Sequence, residues 1–222
     1  DGQTLWEYAG VGEATGLVGA ASPAVSREIV IPAFSSGELF ALRVENGAMA
    51  WSENLGALSG VGGLNSLSDI RGLPVVDKGI VIAISFGGRI VAIDERTVSR
   101  IWQREIGGSE TPWVAGNYLF IISSNNEIIA LGRDNGAIRW VTALPRYEDP
   151  EDREDPIFWA GPVMAGGRLI AAGTNGDVVE VSPDDGKIIR TWSAGESISI
   201  APIVAGETLY LLGENGNLMA FK

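Results

Sequence analysis

Five tryptophans, Trp6, Trp51, Trp102, Trp140 and Trp192, punctuate the 222 residues, and each is followed by a proline that heads an apolar run: Pro23, Pro74, Pro112, Pro162 and Pro202. A pair of turn-forming residues closes each run, at Ser36-Gly37, Gly87-Gly88, Asn125-Asn126, Asn175-Gly176 and Asn215-Gly216. Each pair leads into a second apolar segment, such as Glu38-Leu-Phe-Ala-Leu42 or Asn217-Leu-Met-Ala-Phe221. Two β-rich runs separated by residues that accept a positive φ form a hairpin, because only such a turn matches the twist of the flanking strands. The same hairpin returning every ~40–50 residues is the signature of propeller blades. The spacing therefore predicts an all-β chain of five repeat units, at approximately 1–45, 46–94, 95–134, 135–184 and 185–222, in one propeller domain.

The runs Gly79-Ile-Val-Ile-Ala-Ile84 and Asn117-Tyr-Leu-Phe-Ile-Ile122 are apolar at consecutive positions rather than at alternate ones. A strand covered on both faces reads this way, and a blade sandwiched between two others has two dry faces. No window keeps a 3.6-residue period for ten residues without glycine or proline, which disfavours helix. The tryptophan column reads as packing between blades rather than as a ligand cage, since burial of a large aromatic is its simplest use. In three units the tryptophan follows an Asp-Gly or Asn-Gly turn by four positions. Val98 stands in the glycine place before Trp102, and Trp192 lies six residues beyond Gly186, so these two units are expected to have altered outer turns.

The chemistry that the chain can carry is narrow. It has no cysteine and no histidine, which removes disulfides, thiolate-bound metals, the usual general base and any Ser-His triad. Only carboxylates remain for acid–base work. The net charge of −12 disfavours nucleic acid and anionic lipid as partners. No apolar run approaches the ~18 residues that a membrane-spanning helix needs. No cofactor, no metal and no catalytic residue is expected.

The turn leading to tryptophan, the proline-headed strand and the strand ending in an Ala/Leu pattern resemble the blades of the PQQ-like propeller superfamily over the whole chain. The stretch Asn65-Ser-Leu-Ser-Asp-Ile-Arg-Gly-Leu-Pro-Val-Val76 is similar to a segment of the BamB family, outer-membrane assembly lipoproteins. Gly88-Arg-Ile-Val-Ala-Ile-Asp94, Ile101-Trp-Gln-Arg-Glu-Ile-Gly107 and Gly213-Glu-Asn-Gly-Asn-Leu-Met-Ala-Phe-Lys222 continue the similarity. The resemblance implies four-stranded PQQ-like blades that form part of an eight-bladed ring. It also implies a position at the periplasmic face of the outer membrane, with a lipid anchor upstream of this chain. On its own, a five-unit chain is expected to close by pairing its ends or to self-associate through uncovered blade faces.

Function in a repeat protein tends to sit where the repeats differ in length. From tryptophan to proline the five connections run 17, 23, 10, 22 and 10 positions. The two long connections at 9–21 and 56–72 are rich in Gly, Ser, Leu and Val. Leu17, Val18, Leu64 and Leu67 either meet a protein partner or fold back over the disc. The third, Arg146 to Asp155, carries six carboxylates and two arginines. It lacks the ligand spacing of an EF-hand loop and reads as a solvated acidic loop.

The resemblance implies that the two apolar connections dock to a POTRA domain of BamA, the barrel-inserting subunit, at the positions of Leu17, Val18, Asp69 and Arg71. The family pattern has an arginine at the position of Val18 and an acidic residue at that of Arg71. Both departures imply a contact rewired toward a differently charged surface, or weaker docking. A PQQ-dependent dehydrogenase fragment shares the blade pattern, but no adjacent cysteine pair and no calcium-binding set accompany it. Another periplasmic propeller that binds a protein or a glycan is the remaining alternative.

Overall fold

The computed structural model describes residues 2–10, 21–56 and 69–222. These residues form strands and turns without a helix, and hence no helix long and apolar enough to cross a membrane. The chain divides into two compact units, one built on residues 1–112 with 134–136, the other on 113–133 with 137–222.

The first unit holds two antiparallel four-stranded sheets in which consecutive strands pair. The first is β1 (Ala24–Val25), β2 (Ile29–Ile31), β3 (Glu38–Arg43) and β4 (Met49–Asn54). The second is β5 (Val75–Asp77), β6 (Ile80–Ser85), β7 (Arg89–Asp94) and β8 (Arg100–Arg104). The second unit repeats the design twice. Its sheets are β9 (Trp113–Ala115), β10 (Tyr118–Ile122), β11 (Glu127–Gly132) and β12 (Ile138–Ala143), then β15 (Trp159–Ala165), β16 (Arg168–Gly173), β17 (Asp177–Val181) and β18 (Ile188–Ser193). Between them lies a hairpin of β13 (Tyr147–Asp149) and β14 (Glu154–Pro156). A three-stranded sheet follows, with β19 (Ile203–Ala205), β20 (Thr208–Leu212) and β21 (Leu218–Phe221). Each four-stranded sheet thus ends on a tryptophan-bearing strand, and three of them start directly after the proline of the repeat, while in the fourth Pro162 lies inside β15 at a register shift.

The middle strands are dry on both faces. Val81 to Ser85 of β6, Ile90 to Ile93 of β7 and Leu119 to Ile122 of β10 are all buried, as the unbroken apolar runs require. The second residue of every hairpin pair takes a positive φ: 81° at Gly37, 118° at Gly88, 56° at Asn126, 83° at Gly176 and 84° at Gly216.

The outer turns, which join the third strand to the fourth, are built alike in all four complete sheets. In each a backbone N–H at the end of the third strand donates to the carbonyl five residues on, Arg43 to Ala48, Asp94 to Ser99, Gly132 to Ala137 and Ser182 to Lys187, at 2.8–2.9 Å. Register then shifts by a bulge at Ala41/Leu42, Ala92/Ile93, Ala130/Leu131 and Glu180/Val181. The expected alteration at Val98 and Gly186 is therefore absent. Val98 is instead forced to φ 63°, a region that costs an L-residue about 1–2 kcal/mol.

What differs is the tryptophan. Trp51, Trp102 and Trp140 stand opposite Ala41, Ala92 and Ala130, whereas the equivalent pair in the fourth sheet is Arg190 opposite Glu180, with Trp192 two residues further on opposite Val178. A two-residue step keeps the indole on the same face of its strand.

Three tryptophans of the repeat, Trp6, Trp102 and Trp140, lie on glycines of outer turns. A Cβ at Gly47 would fall 2.7 Å from the Trp6 ring, and one at Gly186 would fall 2.6 Å from the Trp140 ring. The indole N–H of Trp6 donates to the Val44 carbonyl at 2.8 Å and that of Trp140 to the Pro183 carbonyl at 3.0 Å. Trp51 belongs to the register of the turn that carries Val98, and its buried N–H has no partner among the described residues. Trp140→Phe is accordingly expected to cost about 1 kcal/mol more in urea unfolding than Trp51→Phe, because only the former gives up a hydrogen bond.

Candidate interaction surface

The end of each unit that carries the hairpin tips also carries the connections between sheets. In the first unit the second hairpin tip pins the connection from β4 to β5. The Ser85 hydroxyl donates to the Leu55 carbonyl at 3.1 Å, and the Phe86 N–H donates to the Asp69 carbonyl at 2.8 Å. Ile70 turns inward and joins the core of that unit. Gly72 passes so close to the backbone of Glu110 that a Cβ would lie 2.6 Å from its carbonyl oxygen, and the Leu73 N–H donates to the Thr111 hydroxyl at 3.0 Å.

Among the four residues expected to touch a partner, Asp69 is 4% exposed and Arg71 is exposed. They sit two residues apart, one buried and one exposed, on a segment held by hydrogen bonds to Phe86 and Thr111. Leu17 and Val18 lie outside the described residues, as do Leu64 and Leu67. Arg71 is thus the one of the four candidates that the structure places at the surface. Asp69 is held inside, where it shapes the segment that presents Arg71.

In the second unit the long connection from β12 to β15 carries the acidic hairpin. Its ends are tied by the Asn126 amide, which donates to the Ile157 carbonyl at 2.7 Å and the Pro145 carbonyl at 3.3 Å. The Trp159 indole adds a bond to the Pro145 carbonyl at 2.8 Å. Glu148, Asp149, Glu151, Asp152, Glu154 and Asp155 are all exposed, as charge runs usually are. Beside them Phe158 is 67% exposed on a fixed backbone, since its N–H donates to the Thr174 hydroxyl and its carbonyl accepts the Thr174 N–H.

A third feature escaped sequence reasoning. Glu180, on β17, is 2% exposed. Its carboxylate accepts from Arg168 at 2.7 Å, from the Arg190 guanidinium through Nε at 3.1 Å and through a second nitrogen, and from the Trp192 indole at 3.0 Å. Burial pushes this carboxyl up. The bonds from Arg190 and Trp192 and the charges of Arg168 and Arg190 outweigh it and hold the group below its ordinary range. The signal available in the sequence was a glutamate in the Ala column and an arginine in the Trp column, both visible only once the register is known.

A family model described as "Outer membrane protein assembly factor BamB" matches residues 1–142 and 149–222. The outer membrane protein assembly factor BamB of Yersinia pestis is 28% identical over 222 residues, which is 100% of this chain and 54% of the relative. The chain spans about half the length of the curated relatives it matches. The crystal structure of BamB from Moraxella catarrhalis aligns with a TM-score of 0.85 at 22% identity, covering 99% of this chain and 63% of that one. Quinohemoprotein alcohol dehydrogenase from Comamonas testosteroni aligns over 79% of this chain and 35% of its own, with a TM-score of 0.60 at 20% identity. At such identities the solved structures speak for the blade architecture.

Proposed function

The chain belongs to the family of outer membrane protein assembly factor BamB, and from that premise we propose that it serves as a non-catalytic scaffold of the outer-membrane β-barrel assembly machinery. It works at the periplasmic face of the outer membrane, tethered by a lipid anchor upstream of these residues, and docks through its inter-sheet connections to a POTRA domain of BamA. The observation that carries this reading to a residue is Arg71. Its exposed charge stands on a segment fixed at both sides, by Asp69 and Phe86 before it and by Gly72 and Leu73 after it. A charge so held steers association and sets partner choice at little entropic cost.

Titration of a BamA POTRA fragment from the same envelope tests the reading. Arg71→Asp is expected to change the affinity about tenfold and to invert its salt dependence. Leu17→Ala and Val18→Ala probe the companion connection. Glu151→Ala, in the acidic hairpin, is expected to leave binding unchanged. Asp69→Ala acts through the fold of the segment, so its effect on binding should track its effect on stability. Loss of binding in Glu151→Ala alone would move the docking surface to the acidic hairpin. A measurable wild-type affinity that none of the connection variants alters would remove those connections from the surface.

A further inference from the structure

We propose that the cavity beside Glu180 is a binding site for a carboxylate carried on an apolar or aromatic body, a site independent of the docking connections. The cavity measures about 750 Å³, lies between the β15–β18 sheet and the β19–β21 sheet of the second unit, and falls within the size range of ligand pockets. Trp192 and Phe221 form one wall with their ring centroids 4.8 Å apart, and Ile170 and Leu209 line it as well.

Two observations assign the chemistry. The first is charge. Arg168, Arg190 and Lys222 face the cavity against Glu180 and Glu207, an excess of one positive charge in a chain of net −12. A guanidinium offers five N–H groups. Arg168 uses one nitrogen on Glu180, and its Nε is buried with no hydrogen-bond partner. Arg190 uses two nitrogens on the same carboxylate. Both therefore keep donors in reserve, and the arginine fork fits a second carboxylate as it fits the first.

The second observation is the break in the repeat. Three sheets fill this register with alanine opposite tryptophan, a pair without charge. The fourth replaces it with a buried carboxylate paired to two arginines that reach water, so the burial of its charge is set against an attraction that water screens. Packing does not account for the exchange. Glu180 instead holds two arginines at fixed positions over an aromatic wall, and the displaced Trp192 supplies part of that wall under Arg190, 5.8 Å from its ring centroid. A ligand anion takes the unused donors, and its apolar body covers the rings.

The indole N–H resonance of Trp192, identified by its loss in Trp192→Phe, reports on the site. Titration with 3-phenylpropionate is expected to shift that resonance saturably and to weaken with added salt, while 3-phenylpropionamide binds at least about tenfold less tightly, the worth of a charge-assisted hydrogen bond. An acetylated and amidated Leu-Glu-Leu peptide, set against Leu-Gln-Leu, separates the sources: tighter binding of the Glu peptide than of phenylpropionate marks an acidic side chain as the ligand, and the reverse marks a small molecule. Arg168→Met is expected to lose about tenfold in affinity for the acid and nothing for the amide. Equal binding of acid and amide by the wild-type chain, or a Trp192 resonance that does not move, overturns the proposal without recourse to any variant.

Discussion

Gly186→Ala is expected to lower the unfolding free energy by about 3 kcal/mol, and Gly47→Ala by a similar amount, whereas Val98→Gly should raise it by up to about 1 kcal/mol. The three positions are equivalent in the outer turns. At φ 74° and 69° an alanine pays about 1–2 kcal/mol for the left-handed conformation. Its Cβ also meets an indole at 2.6–2.7 Å, and crowding of this kind typically costs a further 1–3 kcal/mol. At Val98 the sign reverses. The strain is already present and is relieved, against a gain in unfolded-chain freedom of about 0.5–1 kcal/mol that favours unfolding. Urea midpoints measured at constant m-value separate the three. A destabilised Val98→Gly would mean that the valine side chain packs well enough to outweigh its backbone cost.

Glu180→Ala is expected to cost about 2–3 kcal/mol at neutral pH, a large share of the stability of a small domain. The substitution orphans the half-buried Trp192 indole N–H and leaves two arginines facing each other. Both guanidinium groups reach water, which keeps the loss below that of a fully buried pair. The pH dependence has a definite sign. The carboxyl is held below its ordinary range in the folded chain, so its contribution is complete above the unfolded carboxylate range and fades as pH falls through the lowered folded value. The gap between wild type and Glu180→Ala should therefore narrow on acidification. A gap that widened in acid would mean that the protonated carboxyl is the form the site prefers.

The contrast between these positions tells what a sequence of this kind discloses. Hairpin tips such as Asn125-Asn126 or Asn175-Gly176 are local chemistry: a residue type that tolerates positive φ, set between two apolar runs, leaves few alternatives. The unbroken apolar runs reported blade interiors for the same reason. Val98 reads as an altered turn because the residue lacks that tolerance, yet the ladder on either side imposes the conformation regardless. The exchange at Glu180 and Arg190 is invisible to spacing, since tryptophan moved by two positions and stayed on its face. Asp69 shows the same limit in a connection. A charged residue in a Gly- and Ser-rich segment reads as exposed, and only the Phe86 backbone and the core around Ile70 turn it inward.

An indole resting on one glycine, with a single bond from its ring nitrogen, asks nothing of the polypeptide that leads from that indole to the next proline. The stretch between them is accordingly free to vary, and after Trp6, Trp102 and Trp140, the three indoles that rest on glycines, it runs from 10 to 22 positions. Natural selection meets two uncoupled parts: a joint that tolerates almost no drift, and a neighbouring tether on which length, charge and partner can be rewritten while the joint keeps its geometry.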